Sequence, residues 1–254
     1  MAAKRTSAQR FSLLLRPRDN KTMNPIYVAL DTTDPDYARE LAERVRPHVG
    51  GLKLGLEFFN AHGPDGVRPF VEMGLPVFLD LKYHDIPNTV AGACRVAAHL
   101  GASILNVHAQ GGAAMMRAGL DAAKSVSPST KIIAVTILTS LSDEDLPGLG
   151  LKPPVGDQVL RLAVLAQQCG LDGVVCSAHE IARLRKELGP DFLLVVPGIR
   201  PSGSAVGDQR RVTGPAEARD AGASLLVIGR PITGAPDPAQ AARDIAKSLG
   251  ISDS

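Results

Sequence analysis

The chain is poor in cysteine and has no C-x-x-C pair: Cys94, Cys169 and Cys176 stand far apart. That excludes a disulfide framework or a zinc ribbon as the organising device, and a reducing cytoplasm fits. No apolar run approaches the roughly 20 residues that span a bilayer, so a soluble protein without a membrane partner is expected. There is also no G-x-G-x-x-G dinucleotide fingerprint. Neither sign of charge dominates, with 28 Lys and Arg against 26 Asp and Glu. Six of those basic residues and a single acidic one fall in the first 22 positions, so the whole-chain +2 becomes −3 for Met23–Ser254. A slightly acidic body argues against a broad surface for nucleic-acid backbone, and no nucleic-acid partner is expected.

Residues 1–23 read as a poorly ordered basic extension with no catalytic part, and residues 24–254 as one folded domain. The extension also holds Phe11 and Leu13–Leu15. An organelle-targeting segment or a weak contact arm are the alternatives, whereas its apolar patch is too short for a secretory core.

What is present in abundance is a regular alternation. Eight short β-branched and aliphatic runs are separated by segments of helical period: residues 26–31, 51–55, 76–82, 103–109, 131–138, 172–177, 192–199 and 224–230. Near-continuous apolar strands suit a parallel sheet covered on both faces. Asp34 before Pro35 can cap a helix whose Ala38, Leu41 and Val45 share a face, and Val90, Cys94, Ala97 and Leu100 make a second stripe. Asp237 and Pro238 open the last helix. Eight such units in 254 residues predict an α/β fold of the (β/α)8 TIM-barrel type in a single domain, with a doubly wound open sheet as the alternative.

In a barrel, functional groups belong at the C-terminal ends of the strands. Charged residues within apolar strands are costly, so their positions are informative. The first run ends in Asp31, the second carries Lys53, the third ends in Asp80 and Lys82 with Asp85 just beyond, and the eighth ends in Gly229 and Arg230. Alternating lysines and carboxylates keep one another charged. A structural ion-pair network is the plain alternative, and for Asp80 with Lys82 alone a solvated strand end would suffice. Downstream, the Gly229 and Arg230 amides with the Arg230 guanidinium suit a phosphate dianion, and Pro201–Gly207 has the small polar composition of a closing lid or of an ordinary surface loop.

These residues carry a resemblance. D-L-K-x-x-D-I-P-N-T at Asp80–Thr89, A-L-D ending at Asp31, K-L-G from Lys53, P-G-I-R-P from Pro197, G-D-Q-R-R from Gly207 and V-I-G-R-P from Val227 resemble the orotidine 5′-phosphate decarboxylase family in its bacterial type, from about Pro25 to about Leu249. The resemblance implies a homodimeric barrel converting orotidine 5′-monophosphate to uridine 5′-monophosphate and carbon dioxide, the last step of de novo pyrimidine synthesis, without metal or organic cofactor. It implies that Asp31 and Lys53 bind ribose hydroxyls, that Asp80 sits against the departing carboxylate and that Lys82 protonates C6. Asp85 and Thr89 would reach the partner subunit's site, with Asp85 contacting the ribose. Thr139 would contact the pyrimidine, Gln209 would bridge base and phosphate, and Arg230 would bind phosphate with Gly229 beside it. Arg200 would support the loop or the phosphate side.

Two other readings stay open on sequence. A magnesium-dependent sugar-phosphate decarboxylase or aldolase sharing the D-x-K-x-x-D strand would need a carboxylate at the end of strand two, where this chain has Lys53, and lysine cannot ligate magnesium. A non-catalytic barrel serving as a nucleotide-binding or interaction protein is the second. The histidines offer no i, i+4 pair on a helix, so no metal site is expected of them.

Overall fold

The computed structural model describes residues 24–201 and 213–252. Eight parallel strands close into a barrel in sequence order, the last pairing with the first. The strands are β1 (Ile26–Ala29), β2 (Gly51–Gly55), β3 (Val77–Tyr83), β4 (Ile104–His108), β5 (Lys131–Val135), β6 (Gly173–Val175), β7 (Leu193–Val196) and β8 (Leu225–Ile228). Between them run the helices α1 (Pro35–Val45), α2 (Leu56–Glu72), α3 (Pro87–His99), α4 (Gly112–Val126), α5 (Val155–Gln168), α6 (Ile181–Leu188) and α7 (Pro215–Asp220). The one-turn α8 (Arg230–Thr233) and α9 (Pro238–Ser248) follow β8. The (β/α)8 barrel expected from the alternation is therefore the fold, and the open sheet is excluded.

Period-2 alternation divides the apolar residues into two cores. Val28, Leu52, Leu79, Leu105 and Val174 belong to the large cluster that also contains the helix faces, so they point outward from the barrel. Ala29, Phe78, Ile104, Ile133, Val195 and Val227 form a smaller cluster within it. The helix stripes read from sequence are buried: Ala38, Leu41 and Val45 on α1, and Val90, Cys94 and Ala97 on α3. Asp34 caps α1 by accepting from the amides of Asp36 and Tyr37, both at 3.0 Å, and Asp237 caps α9 in the same way. All three cysteines are buried thiols outside any disulfide. Among the described residues no helix is long and apolar enough to cross a membrane.

Most runs overshoot their strands. Asp31, Thr136–Leu138, Cys176–Ser177 and Pro197–Ile199 lie past the last laddered residue, because the chain leaves the sheet at the mouth while still apolar enough to pack. Close approach also constrains composition: a Cβ on Gly173 of β6 would stand 2.3 Å from the Leu193 carbonyl oxygen, so only glycine lets β6 and β7 pair there.

The opposite end of the barrel is tied by Arg185 on α6. Its guanidinium donates to the carbonyls of Gly189, Pro190, Phe192 and Gly222 and to Ser224 Oγ, at 2.7 to 3.2 Å. These acceptors lie in the segments feeding β7 and β8. Arg185→Met leaves several half-buried carbonyls unsatisfied and is expected to lower unfolding free energy by about 2 to 3 kcal/mol. Urea denaturation followed by circular dichroism measures it, and an unchanged midpoint would contradict the role.

Candidate active site

At the C-terminal mouth the inward positions change from apolar to charged. Lys53 on β2 and Asp80 on β3 are each 8% exposed. The Lys53 ammonium lies 3.1 Å from Asp31 Oδ1 and 3.3 Å from Asp80 Oδ2, while the Lys82 ammonium lies 2.7 Å from Asp80 Oδ1. Asp80 thus bridges two cations, and Lys53 bridges two anions. Gly55, at the end of β2, makes room for the array: a Cβ there would stand 3.0 Å from Lys53 Nζ and 3.2 Å from Asp31 Oδ1.

Burial alone would raise the Asp80 pKa, but Lys53, Lys82 and hydrogen bonds from Lys82 and Asn106 outweigh it, so the carboxyl is held below its ordinary value. Burial alone would likewise lower the Lys53 pKa, and the Asp80 and Asp31 carboxylates reverse it to a net rise. Both groups are therefore charged across the neutral range.

Asn106 is the participant that the sequence reading missed. It is fully buried on β4, donates from Nδ2 to Asp80 Oδ1 at 2.6 Å and accepts at Oδ1 from the Lys82 amide at 2.8 Å. The available signal was one polar residue inside the apolar run 103–109. Lys82 is also conformationally unusual. Among the described residues it is the one non-glycine with positive φ, at 51°, and the β3–β4 register shifts between Leu79 and Tyr83. Such backbone costs on the order of 1 to 3 kcal/mol and persists where surrounding contacts hold it.

Above the array lies a cavity of about 490 Å³. Ala29, Phe78, Val175, Val195 and Val227 give it apolar lining, and Asp31, Lys53, Asp80, Lys82, Thr139, Arg200, Gly229 and Arg230 also line it. Eight residues singled out in sequence are thereby brought together. Burial and the nearby Arg230 charge both push the Arg200 pKa down, and its Nε is buried without a hydrogen-bond partner among the described residues. Two guanidinium groups thus line one cavity close enough to repel each other.

Asp85 and Thr89 do not line this cavity; both are exposed at the start of α3, and Asp85 Oδ1 accepts from the Ile86 amide at 2.6 Å. Gln209 and residues 202–207 of the expected lid fall outside the described residues. His108, at the end of β4, stacks on His84 with ring centroids 5.2 Å apart. Desolvation, then the nearby His84 and Lys82, push the His108 pKa down against the pull of Asp80.

Fold and site together define a (β/α)8 barrel with its polar constellation at the C-terminal mouth, as enzymes of this architecture have. Residues 24–245 match the model of the "Orotidine 5'-phosphate decarboxylase / HUMPS family". A relative named orotidine 5′-phosphate decarboxylase from Rhodospirillum rubrum is 56% identical over 240 residues, covering 92% of this chain and 97% of its own. One of the same name from Novosphingobium aromaticivorans is 54% identical over 226 residues, covering 89% and 99%. The crystal structure of orotidine 5′-phosphate decarboxylase from Lactobacillus acidophilus aligns with a TM-score of 0.80 at 38% identity, over 89% of this chain and 99% of that one. The chain belongs to the orotidine 5′-phosphate decarboxylase / HUMPS family, and the homologues just named are carboxy-lyases by name.

The ion pairs make a stability statement. Asp80, with its lowered pKa, contributes stability above the ordinary carboxylate pKa of roughly 3.9, lost as pH falls through its folded value. Lys53, with its raised pKa, contributes below roughly 10.4, and that contribution is lost as pH rises through its folded value. Lys53→Met is expected to destabilise the fold by about 1 to 3 kcal/mol at neutral pH, since it removes one of the two cations that balance buried Asp80 and leaves Lys82 alone to do so. The gap from wild type should narrow at both pH extremes in melts followed by circular dichroism. A pH-independent gap would contradict the pairing.

Proposed function

We propose that this chain decarboxylates orotidine 5′-monophosphate to uridine 5′-monophosphate and carbon dioxide, the last step of de novo pyrimidine synthesis, without a metal or organic cofactor. The observation that carries this reading is the Lys53–Asp80–Lys82 ion-pair run, buried at Lys53 and Asp80, on the same cavity as Arg200 and Arg230. The family membership and the names of its relatives support it.

In this reading the phosphate sits against Arg230, Gly229 and Arg200, and Asp31 with Lys53 takes the ribose hydroxyls. Thr139 meets the pyrimidine, and Gln209 links base to phosphate. Asp80 lies beside the substrate carboxylate. The C6–carboxyl bond breaks with its electron pair left on C6, carbon dioxide departs, and a Lys82 N–H proton passes to C6. Lysine is left neutral and regains its proton from solvent. The carbanion has no ready delocalisation into the ring, so a fixed cation beside C6 meets the main electrostatic demand. Asp80 holds that cation charged and in place. Its like-charge contact with the substrate carboxylate adds ground-state destabilisation. Phosphate contacts remote from C6 drive closure of the Pro201–Gly207 lid and organise the array.

The proposal includes a homodimer in which Asp85 and Thr89 serve the partner's site. Their exposure, and a cavity in their own chain that they do not line, support it. The same reading is of a soluble cytoplasmic enzyme. Lys53 at the end of β2 disfavours a magnesium-dependent reaction, since that metal prefers oxygen donors.

Following the ultraviolet absorbance of orotidine 5′-monophosphate with and without a chelator tests the reading. Chelator-insensitive loss of substrate absorbance is expected, with Lys82→Ala inactive yet still binding ligand. Turnover abolished by the chelator would move the reaction to a metal-dependent class, and no turnover from folded, ligand-binding protein would favour a non-catalytic barrel. Arg230→Ala should lower kcat/KM by about 10³-fold or more, since phosphate binding energy is used at the reacting centre; wild-type kinetics would remove that assignment. For the shared site, mixing Lys82→Ala with Asp85→Ala chains should restore activity once subunit exchange is verified.

A further inference from the structure

The reaction as proposed assigns nothing to Asn106, yet its side chain hydrogen-bonds to both catalytic residues of β3. A fully buried amide must find partners for its donor and its acceptor. Here the assignment of the two ends is forced: the carboxylate of Asp80 can only accept and the backbone N–H of Lys82 can only donate. Asn106 therefore presents Nδ2 to one and Oδ1 to the other.

The β3–β4 ladder explains why a side chain is needed. Phe78 pairs with Ile104 and Leu79 with Leu105, but the next registered pair is Tyr83 with Val107, so three residues of β3 pass against one of β4. The Lys82 amide falls inside this irregular stretch, where Asn106 Oδ1 takes the place of a strand carbonyl. Lys82 is held there at φ 51°, in the left-handed region that costs any non-glycine residue. From there Lys82 Nζ reaches Asp80 Oδ1, two residues back on the same strand, at 2.7 Å.

We propose that Asn106 is a positioning residue: its neutral amide fixes the Asp80 carboxylate and the bent Lys82 backbone together, holding the lysine ammonium at the reacting carbon. This rests on the decarboxylase reading. Charge neutrality is part of the role. An isosteric aspartate would keep the acceptor for the Lys82 amide but set a second carboxyl 2.6 Å from Asp80, where both cannot ionise together. Among the described residues, the charged and titratable groups facing that pair are Lys53 and Asp31 from the β1–β2 side, Lys82 from β3, and His108 from β4 with His84 stacked on it. The inward positions of β5, Ile133 and Val135, carry no charge.

Asn106→Ala and Asn106→Asp separate the two bonds. Two readouts apply to each: steady-state decarboxylation of orotidine 5′-monophosphate, and hydrogen exchange at the Lys82 amide with uridine 5′-monophosphate bound. Asn106→Ala is expected to lower kcat by about 10²-fold or more with KM within a few-fold, the scale of a small misplacement at a reacting centre. Its Lys82 amide should exchange about tenfold faster or more. Asn106→Asp should retain the slow exchange, lose kcat near neutral pH, and regain part of it as pH falls, because a proton between the two carboxyls restores the donor. Wild-type kcat in both variants, or unchanged Lys82 exchange in Asn106→Ala, overturns the positioning role. A wild-type chain that leaves orotidine 5′-monophosphate untouched would defeat the decarboxylase reading instead, and exchange at Lys82 would still report whether Asn106 holds that backbone.

Discussion

A single buried carboxylate, Asp80, held ionised between two ammonium groups, is the constraint on which the mouth of this barrel is built. An unpaired charge at 8% exposure would neutralise itself or destabilise the fold. Lys53 at 3.3 Å and Lys82 at 2.7 Å prevent that, and Asp31 steadies Lys53 from the other side. None of the four belongs there alone. The apolar cluster within the barrel, from Ala29 and Phe78 to Val227, lies next to the array and keeps water from screening it.

Such an arrangement is not a general device for stability. Well-packed apolar residues would often do as well, and the left-handed Lys82 adds strain. What the array achieves is preorganisation: a cation fixed at a cavity wall, already oriented before any substrate enters. Local rules are broken at the mouth, where β3 and β4 lose register, while the helix caps and outer core follow them. Violations concentrated in one place mark the functional end of the fold.

Much of this was legible in the amino-acid order. Eight apolar runs gave eight strands, and Asp34 and Asp237 capped the helices expected of them. Charged residues at strand ends identified Asp31, Lys53, Asp80, Lys82 and Arg230, because a charge in an apolar strand needs a reason. Asn106 escaped since an uncharged polar residue in a strand carries a weaker signal, and its importance depends on a register shift that no local pattern encodes. Gly55 escaped for a related reason: its need to lack a Cβ arises from Lys53 and Asp31 meeting in space. The D-x-K-x-x-D spacing likewise conceals that Asp80 and Lys82 line the cavity while Asp85 lies outside its lining, in the turn before α3.

Arg200 and Arg230 line the same cavity, where their like charges oppose each other. The most direct measurement is the titration of Asp80 itself, by carbon-13 resonance of its side-chain carboxyl in the wild-type protein. The account requires the group to remain ionised well below the ordinary carboxylate pKa of roughly 3.9. A carboxyl that titrates at or above that value would contradict the ion-paired array.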